Sequence, residues 1–162
     1  MEKENSGPLD QMKILDSALD EYESKIGLPL FAENSTDESE VQKYLSMSRE
    51  QMERLSLEDC AQAAILLGSF SFHIQRCHNR ESARVKWADN RLKALVSGKE
   101  QQYRGSWDSQ FNQAVKDDDF ARGLLKLKNY AQQRADRLTY LSTSVKNISD
   151  LFVNLQRAKV MK

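Results

Sequence analysis

FARGLLKLKNYAQQRADRLTYLSTSVKNISDLFVNLQRAK, residues 120–159, decides how this chain folds. Within it Leu127, Ala131, Arg134, Leu138, Leu141, Val145, Ile148, Phe152 and Leu155 are separated by alternating steps of four and three, and only Arg134 is not apolar. A stripe with that rhythm is the seam one helix presents to another. No Gly or Pro lies between Leu124 and Lys162, so the spacing predicts one uninterrupted helix of roughly 50 to 60 Å at about 1.5 Å per residue. A lone amphipathic helix is marginal in water, so the seam needs a partner.

The partner is expected from about Leu57 to Val96. Ala64, Leu67, Ser71, Ile74, His78, Glu81, Val85, Ala88, Leu92 and Leu95 keep the same rhythm, with His78 and Glu81 interrupting its middle. A second apolar edge, Ala63, Leu66, Phe70 and Cys77, widens the buried face beyond what a two-helix contact uses. It calls for the N-terminal helix or a neighbouring subunit as a cover. Ser97-Gly98 suits a stop, because Gly accepts the left-handed conformation just after a helix. The expected class is all-α: a long antiparallel helical hairpin with short N-terminal helices, assembling into an oligomer through a seam that includes Phe70, Leu138, Leu141, Val145, Ile148 and Phe152.

Upstream, Pro8 can open a helix in which Leu9, Met12, Leu15, Leu19, Tyr22 and Ile26 recur, ended by Gly27 and Pro29. Phe31 to Ser39 suits an acidic linker, and a short helix is expected near Val41 to Leu45. Ser48 with Gln51, and Ser56 with Asp59, each read as a helix N-cap whose third following residue reaches back. This divides the chain into an acidic N-terminal segment with one amphipathic helix, residues 1–40, and a hairpin domain, residues 41–162.

The 162 residues carry 24 basic and 24 acidic side chains, but unevenly. Residues 1–59 hold 15 Asp and Glu against 6 Lys and Arg, while residues 60–162 hold 9 against 18. An acidic half can be a solvated tail, can shield or compete for the basic half, or can dock a basic partner. The basic half is the candidate surface for a polyanion. No apolar run approaches the ~20 residues of a membrane span, and Met1 to Asn5 lacks a signal peptide's basic and apolar regions, so a cytoplasmic protein is expected. Cys60 and Cys77 have no matching pair and read as small buried hydrophobes. No metal or cofactor is expected.

The sharpest chemical signal lies on the first long helix. Arg76, Arg80, Arg84 and Arg91 are spaced by four, four and seven and form one stripe, flanked by Lys86 and Lys93 and extended by Lys99 and Arg104. Guanidiniums one turn apart, about 6 Å, can track the phosphates of an extended single strand without reading sequence. The alternative is a solvated face whose arginines pair with carboxylates of the acidic half. In the connection, Tyr103-Arg104-Gly105-Ser106-Trp107 groups two aromatics with a cation. Tyr103 and Trp107 can stack unpaired bases, or Trp107 and Phe111 can fold the connection onto the hairpin. Asp117-Asp118-Asp119 reads as a helix cap rather than a metal site, since adjacent helical residues diverge. There is no phosphate loop, no paired-histidine zinc motif, and no nucleophile placed beside His73 or His78, so a binding and assembly protein is expected, not an enzyme.

A long helical hairpin with a basic first arm, a connection containing Tyr103-Arg104-Gly105, and a second arm carrying Tyr140-Leu141-Ser142-Thr143-Ser144-Val145-Lys146-Asn147-Ile148-Ser149 resembles the UvsY-type recombination mediators of tailed phages. The similarity covers roughly residues 70–157. Members often carry an Arg-Gly pair after that Ile, where this chain has Asp150-Leu151-Phe152. The resemblance implies a ring-like homo-oligomer, in the cytoplasm of a phage-infected bacterium, that binds single-stranded DNA. It also implies destabilisation of a coating single-strand-binding protein and help for a RecA-like recombinase in nucleating. By position it makes Arg91, Lys93, Lys99 and Arg104 the DNA contacts. The competing expectation is a structural adaptor of a virion or other complex, with coiled-coil contacts and no nucleic acid.

Overall fold

The computed structural model describes residues 7–29, 37–99 and 102–161. Seven helices account for most of them, and no strand occurs among the described residues. They are α1 (Pro8–Lys25), α2 (Glu38–Leu45), α3 (Arg49–Glu53), α4 (Leu57–Ser97), α5 (Trp107–Asp117), α6 (Asp119–Leu138) and α7 (Leu141–Val160). The protein is therefore all-α, with α4 pairing against the second arm. No described helix is long and apolar enough to cross a membrane.

The helix starts follow local chemistry. Pro8 stands in the first turn of α1, where a missing N–H costs nothing. Asp37 caps α2 by accepting from the backbone of Ser39 and Glu40. Ser48 and Gln51 form a reciprocal capping box on α3. Ser56 and Asp59 do the same before α4, the Ser56 hydroxyl accepting from Asp59 N at 3.0 Å and the Asp59 carboxylate from Ser56 N at 3.3 Å. The expected linker at Phe31 to Ser39 lies largely outside the described residues.

Two expectations fail locally. The second arm is two helices, not one: Tyr140 takes a left-handed φ of 63° between α6 and α7. A non-glycine residue there costs about 1 to 3 kcal/mol, and the Ser/Thr-rich turn that follows offsets part of it. Tyr140 O accepts from both the backbone N of Ser144 at 2.9 Å and its hydroxyl at 3.0 Å. At the other end of the hairpin α4 stops at Ser97 without a left-handed Gly98. Its last carbonyls are taken instead by Gly98 N on Ala94 and Lys99 N on Val96. The left-handed glycine of the connection is Gly105, φ 108°, just before Ser106 caps α5.

The chain forms two compact units, both supplied by α4. The first holds α1, the α4 residues from Asn79 onward, α5 and the α6 residues to Asp136. Its core joins Leu92, Ala121 and Leu124 with the partly buried Trp87, Phe111 and Phe120, and continues through Val96, Tyr103 and Ala114. The arms run antiparallel: Glu81 meets Arg134 at 2.9 Å, and Asp89 meets Lys128 at 2.5 Å. Arg134, the one polar break in the second seam, thus lands on Glu81, a break in the first. The same carboxylate accepts from Arg84 at 2.6 Å.

The second unit holds α2, α3, the α4 residues to His78, and α7. Val41, Tyr44, Ala63, Ala64, Leu67, Ile74, Val145 and Phe152 form its core. Small residues bring these arms close, so Ser149 Oγ donates to Ala64 O at 2.7 Å and Ser71 Oγ to Ser142 O at 2.8 Å. Of the expected seam residues here, Val145 and Phe152 are buried and Leu138, Ile148 and Phe70 partly so, whereas Leu141 is 42% exposed. Much of the wide apolar edge of α4 packs against the short helices that precede it. Ala63, Leu66 and Phe70 share the cluster with Val41 and Tyr44 of α2 and with Met52 and Leu55.

Candidate nucleic-acid interface

Residues four apart on α4 stack along one side, and in the first unit that side meets α1. Arg80, 6% exposed, donates to Asp20 at 2.6 Å and to Glu23 at 3.5 Å. Arg84 grips Asp16 through two bonds, Nε to Oδ1 at 3.0 Å and Nη2 to Oδ2 at 2.7 Å. Asp16 is the main reason, and Glu81 a further one, that the Arg84 guanidinium holds its proton more firmly than usual, against the opposing effect of burial. Arg91 stays exposed and donates to the neutral Gln11 at 2.6 Å. Of the expected track, Arg80, Arg84 and Arg91 therefore stand in one column, and each meets an acceptor on α1 of the same chain. The track's N-terminal member, Arg76, belongs to the second unit, where it is 9% exposed and its guanidinium lies 6.0 Å from the Phe72 ring.

The remaining cations lie elsewhere on the first unit. Lys93 is two residues from Arg91, about 200° around the helix, and shares its side with Lys86, seven residues before it. Its ammonium is 2.7 Å from Asp89, whose carboxyl is held below the ordinary range first by Lys128 and then by Lys93. Lys99 pairs with Asp118. That carboxylate also caps α6, accepting from Phe120 N at 2.8 Å and Ala121 N at 3.2 Å, which is the capping role expected of the acidic run. Arg104 is exposed in the turn before α5.

The two aromatics of the connection separate. Tyr103 is 3% exposed, packed with Val96 and Ala114, so in this conformation no base can stack on it. Trp107 opens α5 with 44% of its surface exposed. Phe111 is the residue that folds the connection down.

The acids that meet the arginines, Asp16, Asp20 and Glu23, were not singled out from sequence, although their spacing of four and three puts them on one face of α1. Elsewhere, His73 Nε2 lies 3.5 Å from Cys77 Sγ, with its pKa lowered by burial and then by Arg76. Among the described residues no group of three or more His, Cys, Asp or Glu is placed to hold a metal ion.

The Asp118 carboxyl is held below its ordinary value, first by the Lys99 hydrogen bond. A depressed folded pKa adds stability above the unfolded value of about 3.9, and that contribution is lost as pH falls through the lower folded value. Thermal melts at pH 5 and pH 3 should therefore show a larger drop for the wild type than for Asp118→Asn, whose amide oxygen keeps the cap. Equal drops would remove Asp118 from the acid response.

No family model, no curated protein and no solved structure matches this chain.

Proposed function

We propose that this protein binds single-stranded DNA as a recombination mediator, working as a homo-oligomer that helps a RecA-like recombinase onto strands coated by single-strand-binding protein. The DNA part rests on one observation: Arg91 and, around the helix from it, Lys93 remain exposed on the C-terminal half of α4, as does Arg104 in the turn after it, with the half-exposed ring of Trp107 three residues beyond Arg104. Cations supply backbone contacts and an exposed indole supplies a stacking platform, the pairing that sequence-tolerant single-strand binders use. The mediator and partner parts rest on the resemblance to UvsY-type proteins.

Replacing Arg91, Lys93 and Arg104 together by Ala should weaken oligo-dT binding and shrink the slope of log affinity against log salt by about 2, since each single-strand phosphate contact contributes about 0.7. Trp107→Ala should cost a further ~1 to 3 kcal/mol of binding if a base stacks there. Unchanged affinity and slope in the triple variant would leave the adaptor reading in its place. That reading is favoured by a separate feature of the second unit: Ile65 and Phe72 on α4 stand 72% and 49% exposed, apolar surface of the kind that subunit contacts bury.

A further inference from the structure

We propose that α1 is a resident competitor on the arginine face of α4, and that single-stranded DNA displaces it to pass from the exposed Arg91 to Arg84 and Arg80. The proposal rests on the DNA-binding reading above and adds a covered second part to that surface.

Three features of the first unit carry it. The contacts are of the type a phosphate would make: Arg84 holds the two oxygens of Asp16 side-on through Nε and Nη2, the fork that guanidinium also offers to phosphate. They recur along both helices, with Glu23 and Asp20 on Arg80, Asp16 on Arg84 and Gln11 on Arg91, so α1 presents a row of acceptors as an extended strand does. Third, the apolar contact of α1 is narrow. Met12 is its one fully buried side chain and Leu15 and Leu19 are partly buried, while Leu9, Ile14 and Tyr22 are 51%, 65% and 61% exposed. A helix attached mainly through ion pairs exchanges with a competing anion more readily than one attached through an apolar face, because the strand restores the charge contacts and leaves little apolar surface bare.

A covalent latch tests this in the full chain. A Cβ built on Gly123 stands 3.7 Å from Pro8 Cβ, within the ~3.5 to 4.5 Å that a disulfide spans, so Pro8→Cys with Gly123→Cys should tether α1 in place when oxidised. The bond is verified by peptide mapping against Cys60 and Cys77, and each single-cysteine variant serves as a redox control. Affinity for labelled oligo-dT is measured at two salt concentrations, oxidised and reduced. The expected result is binding at least tenfold weaker and less salt-dependent when oxidised, restored on reduction. A second full-length variant, Asp16→Asn with Asp20→Asn and Glu23→Gln, should bind more tightly than the wild type. Equal, measurable affinity in the oxidised and reduced protein overturns the displacement and leaves the DNA reading standing. Absence of oligo-dT binding in every form overturns both. Redox-dependent capture of poly-glutamate without oligo-dT binding overturns the proposal in favour of an acidic protein partner.

Discussion

Phe152→Ala is expected to cost about 3 to 5 kcal/mol of folding stability, the range for deleting a fully buried aromatic side chain. Phe152 is 1% exposed and the largest of the fully buried side chains among the described residues. Its ring meets Tyr44 edge-on, centroids 5.7 Å apart at 77°, an arrangement worth about 0.5 to 1.5 kcal/mol beyond the area it buries. It also ties α7 to α2 and α4 in one cluster, so the cavity would open where three helices converge. Leu141→Asp is the contrasting control. Leu141 occupies an expected seam position, but at 42% exposure in the first turn of α7 it gives up little burial, and an acid there meets the positive end of the helix. Its effect should stay below about 1 kcal/mol. Urea melts followed by circular dichroism would measure both. Phe152→Ala within 1 kcal/mol of the wild type, or Leu141→Asp costing more than Phe152→Ala, would sink this account of the core.

These two positions show what apolar spacing reveals and what it leaves out. The heptad count placed both on the seam, because it records which side chains fall on one face and nothing of the backbone between them. It therefore ran through Tyr140 unaltered: Leu138 to Leu141 is a step of three whether or not the helix is continuous. A trace of the break was legible in Ser142-Thr143-Ser144, residues whose hydroxyls compete for backbone groups and favour helix starts. The caps at Ser48 and Ser56 were legible because capping is local, spanning three residues. Contacts between distant segments were not. Neither seam revealed that Arg134 would sit on Glu81, since each arm sets its own phase but not the register against the other. The arginine column was visible on α4, and its alternative fate as a paired face was foreseeable from the charge split. Which acids it would meet depended on how α1 docks, and Pro8, packed over the bare backbone of Gly123, is part of what sets that. Tyr103 departs from expectation because two aromatics grouped with a cation in a connection read as a stacking platform, whereas the turn folds Tyr103 back between Val96 and Ala114.

The meeting of Arg134 with Glu81 makes the second large prediction. Glu81 is 8% exposed and its two oxygens are divided, Oε1 accepting from Arg84 and Oε2 from Arg134. Glu81→Ala leaves both guanidiniums without that acceptor. The penalty for breaking a fully buried pair is about 3 to 5 kcal/mol, but Arg84 retains Asp16, and Arg134, with a side chain 46% exposed, can turn to water. The expected loss is therefore nearer 2 to 3 kcal/mol, below that range because the pair is only partly buried. Glu81→Leu alone should cost a similar amount, having removed the same charge. Adding Arg134→Leu makes the second arm's seam apolar throughout and leaves Ser71 and His78 as the polar positions of the first, and a hydrophobic replacement of a partly buried pair is commonly neutral or stabilising, so the double variant should recover most of the loss. A double-mutant cycle in urea separates this from a general packing defect: coupling of 1 kcal/mol or more between the positions is expected for side chains in direct contact. If the two substitutions are additive, the ion pair has no role in fixing α6 against α4, and the polar interruptions of the two seams must be explained by solubility of the separate arms.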